Sequence, residues 1–350
     1  MAYRVAVVGA TGMVGRTMLR LLAERDFPVG ELVPMSSARS AGRTLNFRGE
    51  AVEVLEATPA AFDGVDLALF SAGATVSREL APAAAAAGAV VVDNSSAWRL
   101  EEGVPLVVPE VNPEAVRDHR GIIANPNCCA IPLTIALHAV SQLSPLRRVL
   151  VDTYQAASGA GWKLVDELRE QRRALVQDPG GLAPVAAYPH QLEGNVVPGG
   201  WSMDAAMVPL SPPVFEDPEA AAAYNQEELK IIAETRKILG LPALAIACTT
   251  VRVPVETGHS EAVWVETDSP LAPADVRAHL AESPGVVVHD DPEAQLYPLA
   301  LAAAGTDDVY VGRIRRDLSH PNGTALWLAA DNLRKGAATN AIQVAELLFS

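Results

Sequence analysis

Two of the chain's three cysteines stand side by side, at 128 and 129, in the stretch ANPNCCAIP. A thiolate is a strong nucleophile, and its surroundings set how readily it forms. Pro132 is tolerated only in a first helical turn, so a helix must begin near Cys129 or Ala130. Cys128 then lies at or just before the helix N-terminus, where the dipole and free N–H groups favour an anionic sulfur. Asn127 offers a side-chain amide to a developing oxyanion. The competing role for either cysteine is burial as a small apolar side chain, more so for Cys129. Cys248, within LAIACTTV, is expected in the core.

A thiol nucleophile needs a base. Of the seven histidines, His259 in ETGHSEA follows a glycine and precedes a strand, a turn from which a side chain can enter a cleft. An exposed loop histidine is the alternative. In TTVRVPVE, Val251, Val253 and Val255 share one strand face and Arg252 points to the other. An arginine so placed could clamp a carboxylate through two parallel hydrogen bonds. The helix NQEELKIIAETRKILG sets Leu229, Ile232 and Leu239 against Glu227, Lys230 and Glu234. That polar side is either a solvated, self-paired face or, at Glu227 and Lys230, part of a ligand site. No CxxC, HExxH or acidic metal loop occurs in the sequence, so no metal is expected.

A second chemical signal lies near the N-terminus. VAVVGATGMVG places Gly9, Gly12 and Gly15 between a strand and a helix. Glycines there allow a tight turn and bring backbone N–H groups onto a pyrophosphate at the helix N-terminus. The pattern is G-x-x-G-x-x-G, and a plain tight turn with close packing is the alternative. An NAD site would carry an acid about 20 residues on, at the end of the second strand. Here that region is MSSARSAG, with no carboxylate between Pro34 and Phe47. Ser36, Ser37, Arg39 and Ser40 offer hydroxyls and a guanidinium instead, which suits the 2′-phosphate of NADP.

These residues need elements to hold them. Up to about residue 125, fully apolar strands (4–9, 31–37, 65–73, 89–96) alternate with helices (13–26, 75–88), the pattern of a parallel sheet covered on both faces. Beyond residue 127 the pattern predicts a helix over about 130–142 and a strand over 147–155. Loops are expected over the Pro/Gly-rich 178–218 and one long helix over about 219–239. Strands at 246–255 and 260–267, a helix near 273–281 and a strand at 285–290 then suggest a mixed sheet. The last segment, KGAATNAIQVAELLFS, reads as an amphipathic helix that returns to the first domain. The expected fold is therefore α/β, an N-terminal Rossmann-type domain followed by an α+β domain.

The apolar fraction of 49% and charged fraction of 20% are those of a folded soluble protein. A net charge of −15 argues against a nucleic-acid partner. The longest charge-free stretch, 121–146, carries too many polar residues for a bilayer span. Three cysteines cannot make a disulfide framework, and no leader precedes the first strand, so a cytoplasmic location is expected.

Over nearly its whole length the chain resembles the aspartate-β-semialdehyde dehydrogenase family. The matching blocks are VAVVGATGMVG, SSARSAG, LFSAG, VVVDNSSAWR, VPLVVPEVN, PNC, TYQAASGAG, VRVPV, GHSEA, GRIRRD and DNLRKGAA. The resemblance implies NADPH-dependent reductive dephosphorylation of L-aspartyl 4-phosphate to L-aspartate 4-semialdehyde and phosphate, a step in lysine, threonine, methionine and diaminopimelate biosynthesis. It makes Cys128 the nucleophile and His259 the acid/base catalyst. Gln155 would orient the acyl intermediate, Arg252 hold the α-carboxylate, Glu227 the amino group, and Arg99 and Lys230 the phosphate. Thr11, Gly12, Met13, Val14, Arg39, Ser40, Ser158, Gly159 and Asn332 would contact NADP. It also implies an NADP-binding domain over 1–127 completed by 328–350, a catalytic and dimerisation domain over 128–327, and a homodimer or homotetramer. Family members usually carry Ser or Thr where this chain has Cys129. The alternative readings are another acyl-phosphate or acyl-CoA reductase of the same fold, for N-acetyl-glutamyl phosphate or malonyl-CoA, and a non-catalytic NADP-binding paralogue, which loss of Cys128, His259 or Arg252 would favour.

Overall fold

The computed structural model describes residues 2–203 and 218–349. The chain divides into two compact units, Met1–Asn127 with Gly336–Ser350, and Cys128–Lys335. In the first, the apolar run at the N-terminus forms β1 (Tyr3–Val8), followed by α1 (Met13–Glu24) and β2 (Val29–Ser36). A small antiparallel hairpin, β3 (Thr44–Phe47) and β4 (Glu50–Glu53), precedes the two-residue strand β5 (Leu55–Glu56). Then come β6 (Leu67–Phe70), α2 (Ala74–Ala86), β7 (Val90–Asp93) and β8 (Ile122–Ala124). The main sheet runs β5-β2-β1-β6-β7-β8 and every pairing in it is parallel.

Burial on both faces explains why these strands are apolar throughout. Val5 and Val7 of β1 join one core with Met18, Leu21 and Leu22 of α1. Ala6 and Val8 join the other with Phe70, Leu80 and Ala84. Alternate side chains of one strand thus serve opposite layers. The hairpin, β5 and β8 are absent from the sequence-based reading because they are short and carry too little apolar pattern.

The second unit begins with α3 (Ala130–Leu143) and β9 (Leu146–Gln155). α4 (Trp162–Gln177) was not anticipated: its charged surface hides a buried side of Leu164, Val165 and Leu168. From 178 to 203 the described chain holds turns and one bridge, Val197 to Arg252; the rest of the expected loop, 204–217, lies outside the described residues. The single helix expected over 219–239 is two, α5 (Pro218–Ala222) and α6 (Gln226–Leu239). The break is a capping box: Asn225 is extended and accepts from Glu228 N, while the Glu228 side chain accepts from Asn225 N. This reciprocal arrangement starts a new helix, and the Asn-x-x-Glu spacing that signals it was overlooked. Glu234, assigned to a polar face, is fully buried.

β10 (Ala245–Arg252), β11 (His259–Thr267), α7 (Pro273–Glu282), β12 (Val286–Val288) and α8 (Ala300–Ala303) follow, then β13 (Val309–Arg316) and β14 (Gly323–Ala330). The last two strands also escaped the sequence pattern. The mixed sheet runs β10-β9-β11-β14-β13-β12. α9 (Thr339–Phe349) belongs to the first unit, where Ala341, Ile342, Val344 and Ala345 enter the core shared with α1. None of the described helices is long and apolar enough to cross a membrane.

Candidate active site

α3 begins at Ala130 with Cys129 as its N-cap, and Pro132 falls in the first turn. Cys129 is fully buried, whereas Cys128 is only partly so. The chain therefore presents one sulfur at a helix entrance and keeps the next inside.

Strand register supplies the facing groups. Arg252 pairs with Gln155 across β10 and β9, and Ser260 pairs with Tyr154 across β11 and β9. The ends of three adjoining strands thus bring Gln155, Arg252 and His259 together. Glu261 pairs with Thr153 and so shares the sheet face of Gln155 and His259. α3 packs over β9, β11 and β14, so its cysteine end meets this face. Gln155 Nε2 donates to Cys129 Sγ at 3.2 Å and lies 3.4 Å from Glu227 Oε1 at the start of α6.

His259 opens β11 after Gly258, where φ is +96° and an added Cβ would stand 2.5 Å from Ala300 O, so no side chain fits. Ala156 N donates to His259 Nδ1 at 3.0 Å. Because Nδ1 accepts, the neutral ring carries its proton on Nε2. His259 is buried, not at the surface of a loop. The turn is braced from below: Gly258 N donates to Asn332 Oδ1 at 2.9 Å, and Asn332 Nδ2 to Ser158 Oγ at 2.9 Å. Both ends of the Asn332 amide are thereby engaged inside the protein. Arg252 Nη1 donates to Ala156 O at 2.6 Å, and its guanidinium lies 4.7 Å from the Trp201 ring centre.

Two buried nitrogens of this cluster, Arg252 Nε and His259 Nε2, have no hydrogen-bond partner among the described residues. Buried donors are rarely left so, and such a pair is what an anionic ligand would complete. Between them lies Gly159: a Cβ there would stand 3.1 Å from both Arg252 Nη1 and His259 Nε2. The Cys128 and Cys129 sulfurs and a ring nitrogen of His259 lie within 4.8 Å of one another. A soft cation would suit that set, but Nε2 could ligate only if Nδ1 carried the proton, and Nδ1 is an acceptor here. No metal is assigned.

The electrostatics around the sulfurs are set by burial. Burial, then contact with Cys128, pushes the Cys129 thiol well above its ordinary value, and the charges of Glu261 and Glu227 add to it. Burial likewise raises Glu261 well above the carboxylate range; Cys128 adds to the rise and contact with Cys129 opposes it. Among the described residues, neither Glu261 oxygen has a partner of hydrogen-bond geometry. Glu261 was missed in the sequence, where GHSEA drew attention only to its histidine; a carboxylate two residues on, on the same strand face, was the available signal.

The first unit holds a separate cleft of about 560 Å³, lined among others by Gly9, Thr11, Gly12, Ser36, Ser37, Glu56 and Glu79. Gly9 has φ +86°, and a Cβ on it would meet Ser71 O at 2.4 Å. A Cβ on Gly15 would meet Gly9 O at 2.2 Å, so this glycine seats α1 on the turn. Thr11 Oγ1 and Ser36 Oγ are 2.9 Å apart. Backbone N–H groups at a helix entrance, a glycine cradle and paired hydroxyls fit a dinucleotide phosphate. Met13, Val14, Arg39 and Ser40 do not line the cleft; Arg39 is exposed on the turn beyond it. Glu56 and Glu79 reach it from β5 and α2, although no carboxylate stands between Pro34 and Phe47 in the sequence.

Residues 4–119 match the family model described as semialdehyde dehydrogenase, NAD binding domain, and residues 137–335 the one described as semialdehyde dehydrogenase, dimerisation domain. An aspartate-semialdehyde dehydrogenase of Aquifex aeolicus is 47% identical over 99% of this chain and 98% of its own. That of Bacillus subtilis is 45% identical over 98% of this chain and 96% of its own. The crystal structure of aspartate semialdehyde dehydrogenase II from Vibrio cholerae, 42% identical, superposes with a TM-score of 0.91 over 99% of this chain and 98% of that one. The same enzyme has been solved complexed with ASA.

The chain belongs to the aspartate-semialdehyde dehydrogenase family. It is an α/β oxidoreductase with a Rossmann-like NAD-binding unit and a dimerisation unit. The structure brings five expected site residues of the second unit, Cys128, Gln155, Gly159, Arg252 and His259, to one place, with Glu227 beside Gln155. Lys230 follows Glu227 on α6, half-buried. Asn127 and Arg99 belong to the first unit. Asn127 is buried there, and Arg99, nearly buried, donates to Asn125 O at 2.9 Å and Asn94 O at 3.0 Å.

Proposed function

We propose that the chain catalyses reductive dephosphorylation of L-aspartyl 4-phosphate to L-aspartate 4-semialdehyde through a thioester on Cys128. The observation that carries this reading is the partly exposed Cys128 at the entrance of α3 beside two buried, unpartnered donors, Arg252 Nε and His259 Nε2. The Cys128 thiolate attacks the acyl carbon and phosphate leaves. Thr11, Gly12 and Ser37 would hold NADPH at the glycine-turn cleft, where it would supply the hydride. His259 Nε2–H donates to the developing oxyanion, and the C–S bond then breaks to release aldehyde and regenerate the thiolate. Arg252 holds the α-carboxylate, and Gln155 and Glu227 set the acyl and amino groups. Asn127 assists at the oxyanion; Arg99 and Lys230 bind phosphate. Thr11, Gly12, Ser37, Arg39 and Ser40 contact the cofactor, Arg39 selecting the 2′-phosphate. The relative solved with ASA supports the substrate class. The chain is read as a cytoplasmic homodimer or homotetramer.

The test is phosphate-dependent reduction of NADP by aspartate semialdehyde. Cys128→Ala is expected to abolish it, and His259→Ala to slow it by about 10²–10⁴-fold. Full activity in Cys128→Ala would overturn the mechanism. Equal rates with N-acetyl-glutamate semialdehyde would remove the role given to Glu227.

A further inference from the structure

The mechanism above uses neither Cys129 nor Glu261, yet both are buried beside the nucleophile. Cys129 is fully buried and Glu261 is 1% exposed. Cys129 Sγ accepts from Gln155 Nε2 at 3.2 Å. The Cys128 sulfur lies within 4.8 Å of it, and the Glu261 carboxyl is close enough to act on it. A thiol has one proton to donate, and only one of these two neighbours can receive it.

We propose that Cys129 is a positioning residue for the reaction: its S–H donates to the Cys128 sulfur and stabilises the thiolate, with Gln155 and Glu261 holding it in that direction. The proposal rests on Cys128 being the nucleophile. Gln155 fixes the direction by filling a Cys129 lone pair with an N–H. Glu261 fixes it by being neutral. An uncharged carboxyl is a weaker acceptor for the S–H than a carboxylate, which would draw it away from Cys128 and add like charge. Burial favours the protonated form of both the Glu261 carboxyl and the Cys129 thiol. The other titratable groups facing the pair are Glu227 on α6, His259 on β11 and Cys248 on β10, the last also raised by burial. Arg252 ends β10 at the same end of the sheet.

The test follows Cys128 thiolate by the rate of iodoacetamide alkylation across pH, with the adduct placed by fragment-ion mass spectrometry, alongside kcat/KM. Cys129→Ala is expected to lower both near neutral pH by about tenfold, the loss of one hydrogen bond to an anion from a weak donor. Cys129→Ser, which keeps a donor, should restore them to within about threefold. Equal loss in Cys129→Ala and Cys129→Ser, or no loss in either, would overturn the proposal. Glu261→Gln gives an independent reading should Cys129→Ala fail to fold. Its alkylation should match the wild type at low pH and exceed it by about threefold or more once pH has risen through the raised range in which the wild-type carboxylate forms. Coincident curves at every pH would overturn the proposal. Activity in Cys128→Ala would instead defeat the nucleophile assignment, so the two failures are distinguishable.

Discussion

Gly159→Ala separates the site from the fold. Gly159 sits in a short 3₁₀ turn (Ala157–Ala160) after β9 and is exposed, yet the added methyl would project into the site. It would lie 3.1 Å from Arg252 Nη1, 3.1 Å from His259 Nε2 and 3.2 Å from His259 Cε1. Those contacts are a few tenths of an ångström too tight. Neither neighbour can yield freely, because Arg252 Nη1 is tied to Ala156 O at 2.6 Å and His259 Nδ1 to Ala156 N at 3.0 Å. The Gly159 backbone is not in the left-handed region, so alanine meets no φ strain. Relative to glycine it restricts the unfolded chain and would stabilise by about 0.4–1 kcal/mol if nothing clashed. The clash offsets this, leaving stability within about 1 kcal/mol of the wild type. Catalysis should suffer far more, since displacing reacting groups toward 1 Å costs about 10²-fold. The expected result is a kcat/KM about 10²-fold lower with a Tm within about 3 °C. Steady-state kinetics and thermal melts on the same preparation decide it. A variant with wild-type kcat/KM would mean that the space between Arg252 and His259 is not where substrate lies.

Glu261→Gln should alter the pH dependence of stability as well. The folded-state carboxyl is raised by burial, so its contribution is complete below the unfolded carboxylate range and is lost as pH rises through the raised folded value. The variant cannot ionise and should therefore lose less stability than wild type from acid to mildly alkaline pH in urea titrations; parallel curves would show that Glu261 is not held neutral. Arg39→Ala should weaken NADPH by about 10–100-fold and leave NADH nearly unchanged, measured by fluorescence titration; equal weakening of both would remove the 2′-phosphate role. Asn225→Ala should destabilise by about 2 kcal/mol, since Asn225 caps α6 through Glu228 N at 3.0 Å and donates to Thr250 Oγ1 at 2.9 Å. A chemical melt within about 0.5 kcal/mol of wild type would show that the box does not start the helix.

Local signals were legible where covalent and steric rules act over a few residues. Pro132 located the start of α3, and the uninterrupted apolar strands announced a doubly covered parallel sheet. The glycine turn could be placed between β1 and α1 because only glycine tolerates the φ at Gly9 and the packing at Gly15. Short or polar strands such as β4 and β5 had no such signature, and α4 hid its apolar side among charges. The α5–α6 break lay in plain view as Asn225 and Glu228, but helical periodicity on both sides masked it.

Residue types, their order along the chain and the local stops and caps are thus properties of the sequence, and they raised Cys128, His259 and Arg252 as candidates. Which groups share a space was decided by strand register and burial. The pairing of β9 with β10 and β11 brings Gln155, Arg252 and His259 to one edge, and α3 over that face sets Cys129 against Gln155. The tautomer of His259 depends on Ala156, and the state of Glu261 on the absence of water around it. Hydrogen bonding and desolvation act between groups far apart in sequence, so no stretch of residues read alone contains them.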